Sequence, residues 1–94
     1  MTLTELRYLV ALDRERHFGR AADRCFVSQP TLSVAIRKLE DQLNVTLFER
    51  NRSEARPTPI GERIIEQARR VLAEATTLEN LAQQGKDELS GVLR

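Results

Sequence analysis

The sequence is poor in the residue types on which most enzymatic and metal sites depend. It holds one cysteine, one histidine and no tryptophan among 94 residues. A single cysteine excludes an intramolecular disulfide and a thiolate metal site, and a single histidine excludes a histidine-rich metal cluster. No nucleophile–base pair, glycine-rich phosphate loop or set of metal ligands can be traced, so the sequence indicates neither an enzyme nor a cofactor-binding protein.

Aromatic residues, net charge and long apolar runs are scarce as well. Aromatics make up 4% of the chain, which argues against a stacking platform for single-stranded nucleic acid. A net charge of +1 is below the basic signature of many nucleic-acid-binding domains, so composition alone does not indicate DNA. No apolar run approaches a membrane span and no signal-peptide core is present. We therefore expect a cytoplasmic protein with no membrane partner.

What remains is an ordinary helix-rich composition, 40% hydrophobic and 31% charged, sufficient for one small domain. Within it, Val27 to Leu43 predicts a helix with two different faces. Ser28 is a suitable N-cap that would accept from the amide of Thr31, and Pro30 falls in the first turn. The apolar stripe of this helix comprises Leu32, Ala35, Ile36, Leu39 and Leu43.

The opposite face of this helix is short-chained and uncharged at its start and then basic. It comprises Pro30, Ser33, Val34 and Arg37, with Gln29 and Lys38 at its margins. Such a face suits close approach to a DNA groove, so the segment is the candidate recognition helix. Arg37 can donate twice to guanine, Gln29 can pair with adenine, and Thr31 or Val34 can touch a thymine methyl.

A simpler interpretation is that Arg37 and Lys38 form a solvated face, paired with Glu40 or Asp41 three or four residues away. Their position beside Pro30 and Ser33 favours the DNA-facing interpretation. Elsewhere, Cys25 is expected to be a small core residue, and His17 a residue at a helix boundary.

Two helices are expected before the recognition helix. Thr2 to Arg16 predicts the first, with a capping box formed by Thr2 and Glu5, and Phe18 to Cys25 predicts a short second one. Short helix, turn and two-faced helix together predict a helix-turn-helix. Because Phe26 occupies the position where many such turns have glycine, either the turn accepts a side chain or the helix boundary shifts by one residue.

After Leu43, two very short strands are predicted at Leu47 to Arg50 and Ala55 to Thr58, around a polar tip at Asn51 to Glu54. This β-wing is charged and could simply be solvated, but its position directly after a helix-turn-helix favours contact with phosphates or the minor groove. The predicted contact residues to the DNA backbone or minor groove are Ser28, Lys38, Arg50, Arg52 and Ser53.

A long last helix is predicted from Thr58-Pro59 to about Gln84, with Gly85 as its end. Its apolar residues recur at heptad spacing and exceed what a small head can cover, so we expect a homodimer formed through this helix. The predicted dimerisation residues are Ile64, Ala68, Val71, Ala75, Leu78 and Ala82, flanked by Ile65, Leu72 and Leu81. The expected division is a head at 1–58, a linker helix at 59–85 and a hinge at 86–94.

Four motifs together give the chain its resemblance to a known family. The segments R-A-A, V-S-Q-P-T-L-S, I-R-K-L-E and L-F-E-R, followed by T-P-I-G-E, resemble the N-terminal domain of LysR-type transcriptional regulators. The resemblance covers the whole chain, and within the family it is greatest to the hydrogen-peroxide-responsive regulators. It implies a mainly α, winged helix-turn-helix head with an antiparallel dimerising linker helix, followed by an effector domain that would begin near Gly91.

The resemblance also implies roles for individual residues. Gln29, Pro30, Ser33 and Val34 would face bases, although many relatives place a longer polar residue at the position of Val34, and Arg52 would enter the minor groove. The implied partner is an imperfect inverted repeat in a promoter region, bound by a dimer. A tetramer of the full-length protein and a contact with RNA polymerase are further expectations.

The function expected from these observations is sequence-specific binding of double-stranded DNA, in an activator that responds to oxidative stress. Three alternatives remain open: a LysR-type regulator of another metabolic or stress regulon, a helical dimerisation module with an inert head, and a winged helix of another repressor family. An acid-free outer face over the first turns of the recognition helix argues against an inert head.

Overall fold

The computed structural model describes residues 1–52 and 54–92. The fold is mainly helical, with one two-stranded antiparallel sheet. The elements in chain order are α1 (Leu3–Glu15), α2 (Phe18–Arg24), α3 (Gln29–Leu43), β1 (Phe48–Asn51), β2 (Glu54–Pro57) and α4 (Pro59–Val92). The predicted fold class, a winged helix-turn-helix with a long C-terminal helix, is confirmed.

The first helix begins and ends as its sequence predicts. The Thr2 hydroxyl accepts from the Glu5 amide at 3.1 Å, and the Glu5 carboxylate accepts from the Thr2 amide at 2.8 Å, which together form the capping box. Arg16 ends the helix in the left-handed conformation, with φ of 56°. Both ends of α1 are therefore satisfied by local hydrogen bonds.

The short second helix carries its own cap. The Nδ1 atom of His17 accepts from the Arg20 amide at 3.1 Å, which confirms His17 as a helix-boundary residue. The turn into α3 accepts a side chain at Phe26, whose backbone lies in the left-handed region with φ of 57°. The second helix ends at Arg24, one residue earlier than predicted. Because left-handed backbone disfavours a β-carbon by roughly 1–2 kcal/mol, the surrounding packing must hold this turn in place.

One apolar core joins the head to the first turns of α4. On α3, Leu32, Ile36 and Leu39 are buried as predicted, while Ala35 and Leu43 are half-buried. The fully enclosed large side chains of the core are Leu9, Leu12, Leu32, Ile36, Leu39, Leu47 and Ile65. This core fixes the angle at which α3 is presented to solvent.

The two strands of the wing lie closer to the tip than predicted. Phe48 pairs with Pro57, and Asn51 pairs with Glu54, so β1 begins one residue later and β2 begins one residue earlier than expected. Thr58 leaves the sheet because its hydroxyl caps α4, accepting from the Gly61 amide at 3.0 Å and donating to the Thr46 carbonyl at 2.6 Å. The tip between the paired residues is correspondingly short and begins at Arg52.

The last helix is longer than predicted. It starts at Pro59, but it continues through Gly85 to Val92, so residues 86–92 of the expected hinge are helical. Gly85 has a negative φ, and a β-carbon added to it would meet no atom within 4 Å. A glycine of this kind costs a helix only about 1 kcal/mol and does not end it. Residues 93 and 94 of the expected hinge lie outside the described residues.

The heptad stripe of α4 divides into two parts. Ile65, predicted to flank the stripe, is buried in the core together with Ala68, so the assignment of Ala68 to dimerisation was wrong: its side chain packs on the head. Beyond Leu72, which is partly buried against the core, the helix leaves the head. Leu78 and Leu81 are then 68% and 63% exposed.

Candidate nucleic-acid interface

The N-terminus of α3 is fixed by its predicted cap. The Ser28 hydroxyl accepts from the Thr31 amide at 3.2 Å, and the two hydroxyl groups of Ser28 and Thr31 lie 2.8 Å apart. No acidic residue occupies the first turn. The positive end of the helix dipole is therefore uncompensated on an open surface, which favours an approaching anion.

The outer face of α3 is open to solvent along its first three turns. Gln29, Pro30, Thr31, Val34, Arg37 and Lys38 are exposed, and Ser33 is half-buried. Val34 is 58% exposed, an unusual position for a branched apolar residue on a helix that already buries a full apolar stripe. The face combines methyl groups, an amide, hydroxyl groups and two cations, which are the groups that read base edges in a major groove.

The cations of this face are free of the carboxylates that the simpler interpretation assigned to them. In residues 1–52 and 54–92, neither Arg37 nor Lys38 lies within ion-pair distance of an acid. Glu40, three residues after Arg37, instead faces the wing. The outer face is therefore not a self-neutralised surface.

Gln29 lies close to the second helix. A β-carbon at Gly19 would lie 3.7 Å from the Gln29 Oε1 atom and 3.0 Å from the His17 ring. The missing side chain at Gly19 thus gives the Gln29 amide room between α2 and α3.

The wing places an arginine at its tip. Arg52 is exposed and adopts the left-handed conformation with φ of 59°, which closes the hairpin. On the strands, Glu49 pairs with Arg56, and both side chains are exposed. Ser53, the other predicted contact residue at the tip, lies outside the described residues.

Arg50, which was predicted to contact the DNA backbone or the minor groove, is engaged in contacts within the head. Its guanidinium donates to the Glu40 carboxylate at 3.2 Å and lies 5.1 Å above the centre of the Phe18 ring. Its side chain is only 24% exposed. We therefore revise its role from a DNA contact to an intramolecular contact that joins the wing to α2 and α3.

Glu40 is the residue that reasoning from the sequence missed. It was considered only as a partner for Arg37, whereas its carboxylate accepts from the amides of Leu47 and Phe48 at 2.8 and 3.3 Å. The available signal was an acid on the border of the apolar stripe, eight residues before the first strand of the wing. Helical periodicity cannot show a contact of this kind, since it crosses a turn.

The long helix is fastened to the head by one close ion pair. Arg69 donates to Asp13 at 2.6 Å, and Asp13 also accepts from Arg16 at 3.1 Å. A separate apolar cleft between α1, α3 and α4 is lined by Met1, Leu6, Leu43, Ile64, Gln67, Ala68 and Val71. The cleft continues into the exposed apolar residues of α4.

Cys25 is less enclosed than predicted. It is half-buried and lines an open cleft with Arg14, Arg24 and Phe26, so its assignment to the core was wrong. Its position on the C-cap of a seven-residue helix leaves one side open. Partial burial raises the pKa of the Cys25 thiol above its ordinary value, which keeps the sulfur protonated and poorly reactive at neutral pH.

Residues 1–52 and 54–92 contain neither a metal-binding cluster nor a membrane-spanning helix. No group of three or more histidine, cysteine or acidic residues is placed there to hold a metal ion. No helix in this part of the chain has the length and apolar character needed to cross a membrane.

Comparison with known proteins identifies the family. Residues 3–62, from α1 to the first turn of α4, match the family described as bacterial regulatory helix-turn-helix protein, lysR family. The chain belongs to this family. The match covers α3, the wing and the cap of α4.

The curated relatives of high identity include proteins described as hydrogen peroxide-inducible genes activators. The chain is 52% identical over 93 residues to the hydrogen peroxide-inducible genes activator of Pectobacterium carotovorum, covering 99% of this chain and 31% of that protein. It is 50% identical over 93 residues to the DNA-binding transcriptional dual regulator OxyR of Escherichia coli K12, covering 99% and 30%. The chain thus spans about a third of the length of these relatives.

Solved structures show the same fold. A full-length OxyR variant from Pseudomonas aeruginosa superposes with a TM-score of 0.87 at 62% identity, covering 92% of this chain and 29% of that one. The DNA-binding domain of BenM, in complex with catB site 1 DNA, superposes with a TM-score of 0.89 at 32% identity, covering 94% and 95%. This LysR-type domain is therefore close to OxyR in sequence and in structure.

Proposed function

We propose that this LysR-type domain binds double-stranded DNA sequence-specifically, with α3 in the major groove and the wing on the adjoining minor groove. The observation that carries the proposal is the outer face of α3, which is open, free of acids in its first turn and unpaired at Arg37 and Lys38 in the described part of the chain. A helix that only capped a dimer would gain nothing from such a face.

The groups on this face divide into two roles. Gln29, Pro30, Thr31, Ser33, Val34 and Arg37 form the base-reading set, with Val34 limited to contact with a thymine methyl. Ser28, Lys38, Arg52 and Ser53 form the set that contacts phosphates or the minor groove. The BenM domain supports the DNA-binding role of this fold, because that relative was solved in complex with DNA.

We propose further that the domain is a homodimer through α4. The support is the apolar surface that the head leaves uncovered, formed by Val71, Leu78 and Leu81 and continued by the cleft beside Ile64. A helix that projects from its head with large exposed leucines needs a partner surface. The proposed dimerisation set is Ile64, Val71, Ala75, Leu78 and Ala82, with Leu81 added.

The full-length protein is proposed to be a cytoplasmic, peroxide-responsive activator, not an enzyme. This rests on the identities to the peroxide regulators. The alternative of another regulon stays open, since the regulator EstR of Acinetobacter baylyi is 44% identical over 98% of this chain. A tetramer and a contact with RNA polymerase belong to the same proposal for the longer protein.

The test is selection of duplexes from a random-sequence library, followed by titration of the selected and scrambled duplexes at two salt concentrations. We expect enrichment of an imperfect inverted repeat with half-sites about one helical turn, or a multiple of it, apart. Affinity for the selected duplex should exceed that for the scrambled one by at least about 10³-fold. Equal affinities for both, or no enrichment, would overturn sequence-specific binding.

A further inference from the structure

One carboxylate carries the polar connection between the recognition helix and the wing. Glu40 accepts from the Leu47 amide at 2.8 Å and from the Phe48 amide at 3.3 Å through one oxygen, and from the Arg50 guanidinium at 3.2 Å through the other. Among the described residues, every hydrogen bond between the side chains of α3 and the segment from Leu47 to Arg50 ends on this carboxylate.

The surroundings of Glu40 make this connection strong. Its side chain is 15% exposed, so the carboxylate is largely withdrawn from water and its bonds to N–H groups are charge-assisted. Arg50 is held from the other side by the ring of Phe18, 5.1 Å from the guanidinium, in a cation–π contact. The contact therefore has a preferred geometry and is not a pair of freely moving surface charges.

Apart from Glu40, the wing is held by the buried side chains of Phe48 and Ala55 and by contacts of its second strand. A hairpin of two four-residue strands is marginally stable alone. The second strand is fastened to the α1–α2 junction, where the Ala55 amide donates to the Arg16 carbonyl at 3.0 Å. The first strand, which leads into Arg52, is fastened to α3 through Glu40. Without that carboxylate, the two elements proposed to contact DNA would lose their polar link.

We infer that Glu40 is a positioning residue that sets where the wing, and with it Arg52, lies relative to the recognition helix. The inference deepens the proposed DNA binding and rests on it. Glu40 would touch no DNA itself. Its contribution is to hold α3 and the wing as one rigid surface. The entropy cost of ordering the wing is then not part of the free energy of DNA binding.

A first experiment needs no DNA. Amide hydrogen exchange is measured on the 94-residue chain, on Glu40→Gln and Glu40→Ala, and on Asp41→Asn. Asp41→Asn is the matched control, because it removes the same charge one residue further along α3 from an exposed carboxylate. The amides of Leu47 and Phe48 should exchange roughly 10-fold faster in Glu40→Ala while the amides of α1 keep their rates.

The second experiment is a double-mutant cycle on DNA affinity. In the wild-type background, Arg52→Ala should weaken binding to the selected duplex. In the Glu40→Ala background, the fold-loss of affinity caused by Arg52→Ala should be smaller by a factor of roughly 3 to 10, because the wing no longer adds a fixed contact. Glu40→Gln, which keeps an oxygen acceptor for the two amides, should fall between. Circular dichroism on each variant confirms that the domain is folded under the titration conditions.

The outcomes separate the two proposals. Unchanged exchange at Leu47 and Phe48 in Glu40→Ala, or an equal cost of Arg52→Ala in both backgrounds, overturns the positioning role. The positioning role also fails if an Asp41→Asn background reduces the effect of Arg52→Ala on DNA affinity as much as Glu40→Ala does. Loss of one negative charge from α3 would then explain the result. If the wild-type chain binds no duplex, the proposed function fails, whereas the exchange rates still decide whether Glu40 holds the wing.

Discussion

At the scale of single residues, Gly61 and Gly85 of α4 have opposite roles. A β-carbon at Gly61 would lie 2.1 Å from the carbonyl oxygen of Leu47, a backbone atom that the Thr58 amide also bonds at 3.0 Å. A β-carbon added to Gly85 would meet no atom within 4 Å. The helix can therefore gain from alanine at Gly85 but not at Gly61.

We expect Gly61→Ala to lower the free energy of unfolding by about 1–3 kcal/mol or more, because the junction of wing and helix must open. Gly85→Ala is the control and should raise it by a few tenths to about 1 kcal/mol through helix propensity. Urea denaturation followed by circular dichroism measures both. A Gly61→Ala protein as stable as wild type would show that the junction relaxes without cost.

Cys25 allows a prediction about pH at the same scale. Since burial raises the pKa of the folded thiol, the folded chain holds its proton at pH values where the unfolded chain has begun to lose it. Alkylation by iodoacetamide should be slower in the folded chain than in the same chain in urea near the ordinary thiol pKa, and the difference should narrow at higher pH. Because the unfolded chain loses the thiol proton first, the free energy of unfolding should fall as the pH rises from the ordinary thiol pKa towards the raised pKa of the folded chain. Equal rates for folded and unfolded chain at every pH would contradict this.

At the scale of elements, the sequence was most informative where one element carries its own pattern. The stripe of Leu32, Ile36 and Leu39 and the cap at Ser28 placed α3 to the residue. The contact of Glu40 with Leu47 could not be found in the same way, because it joins two elements whose relative position is set by the folded core. The end of α4 was wrongly predicted at Gly85 for a related reason. A glycine ends a helix only when the chain needs a left-handed residue there.

The recognition helix and the wing should respond differently to substitution. Gln29→Ala is expected to cost about 1–3 kcal/mol on the selected duplex and much less on a scrambled one, because it removes a base contact. Arg52→Ala should weaken both duplexes and reduce the slope of log affinity against log salt by about 0.9. Titration of both duplexes at several salt concentrations measures the two effects. If both substitutions weakened the two duplexes equally, the division of roles between the elements would be wrong.

At the scale of the whole molecule, the long dimension of 60 Å is due to the part of α4 that extends beyond the head. The sequence predicted an apolar surplus on this helix correctly, but not which residues the head uses. Ile64 and Ile65 are adjacent and equally apolar, and only the docking angle fixed by the core decides that Ile65 is buried. Arg69 and Asp13 then hold that angle at the head.

The exposed half of α4 carries the last prediction. Leu78→Glu places a charge in the proposed apolar interface, so sedimentation equilibrium should show a shift from dimer to monomer. Asn80→Glu is the matched control, because it adds the same charge on the opposite side of the same helical turn and should leave the dimer intact.

Loss of the dimer should also lower affinity for a selected inverted repeat by at least about 10²-fold, since two linked half-site contacts become independent. Affinity for a single half-site should stay unchanged, because α3 and the wing are far along the chain from Leu78. If the Leu78→Glu chain remains dimeric, Leu78 does not lie in the dimer interface. The apolar cleft beside Ile64 and Val71 would then be the surface to substitute next, with Val71→Glu as the variant.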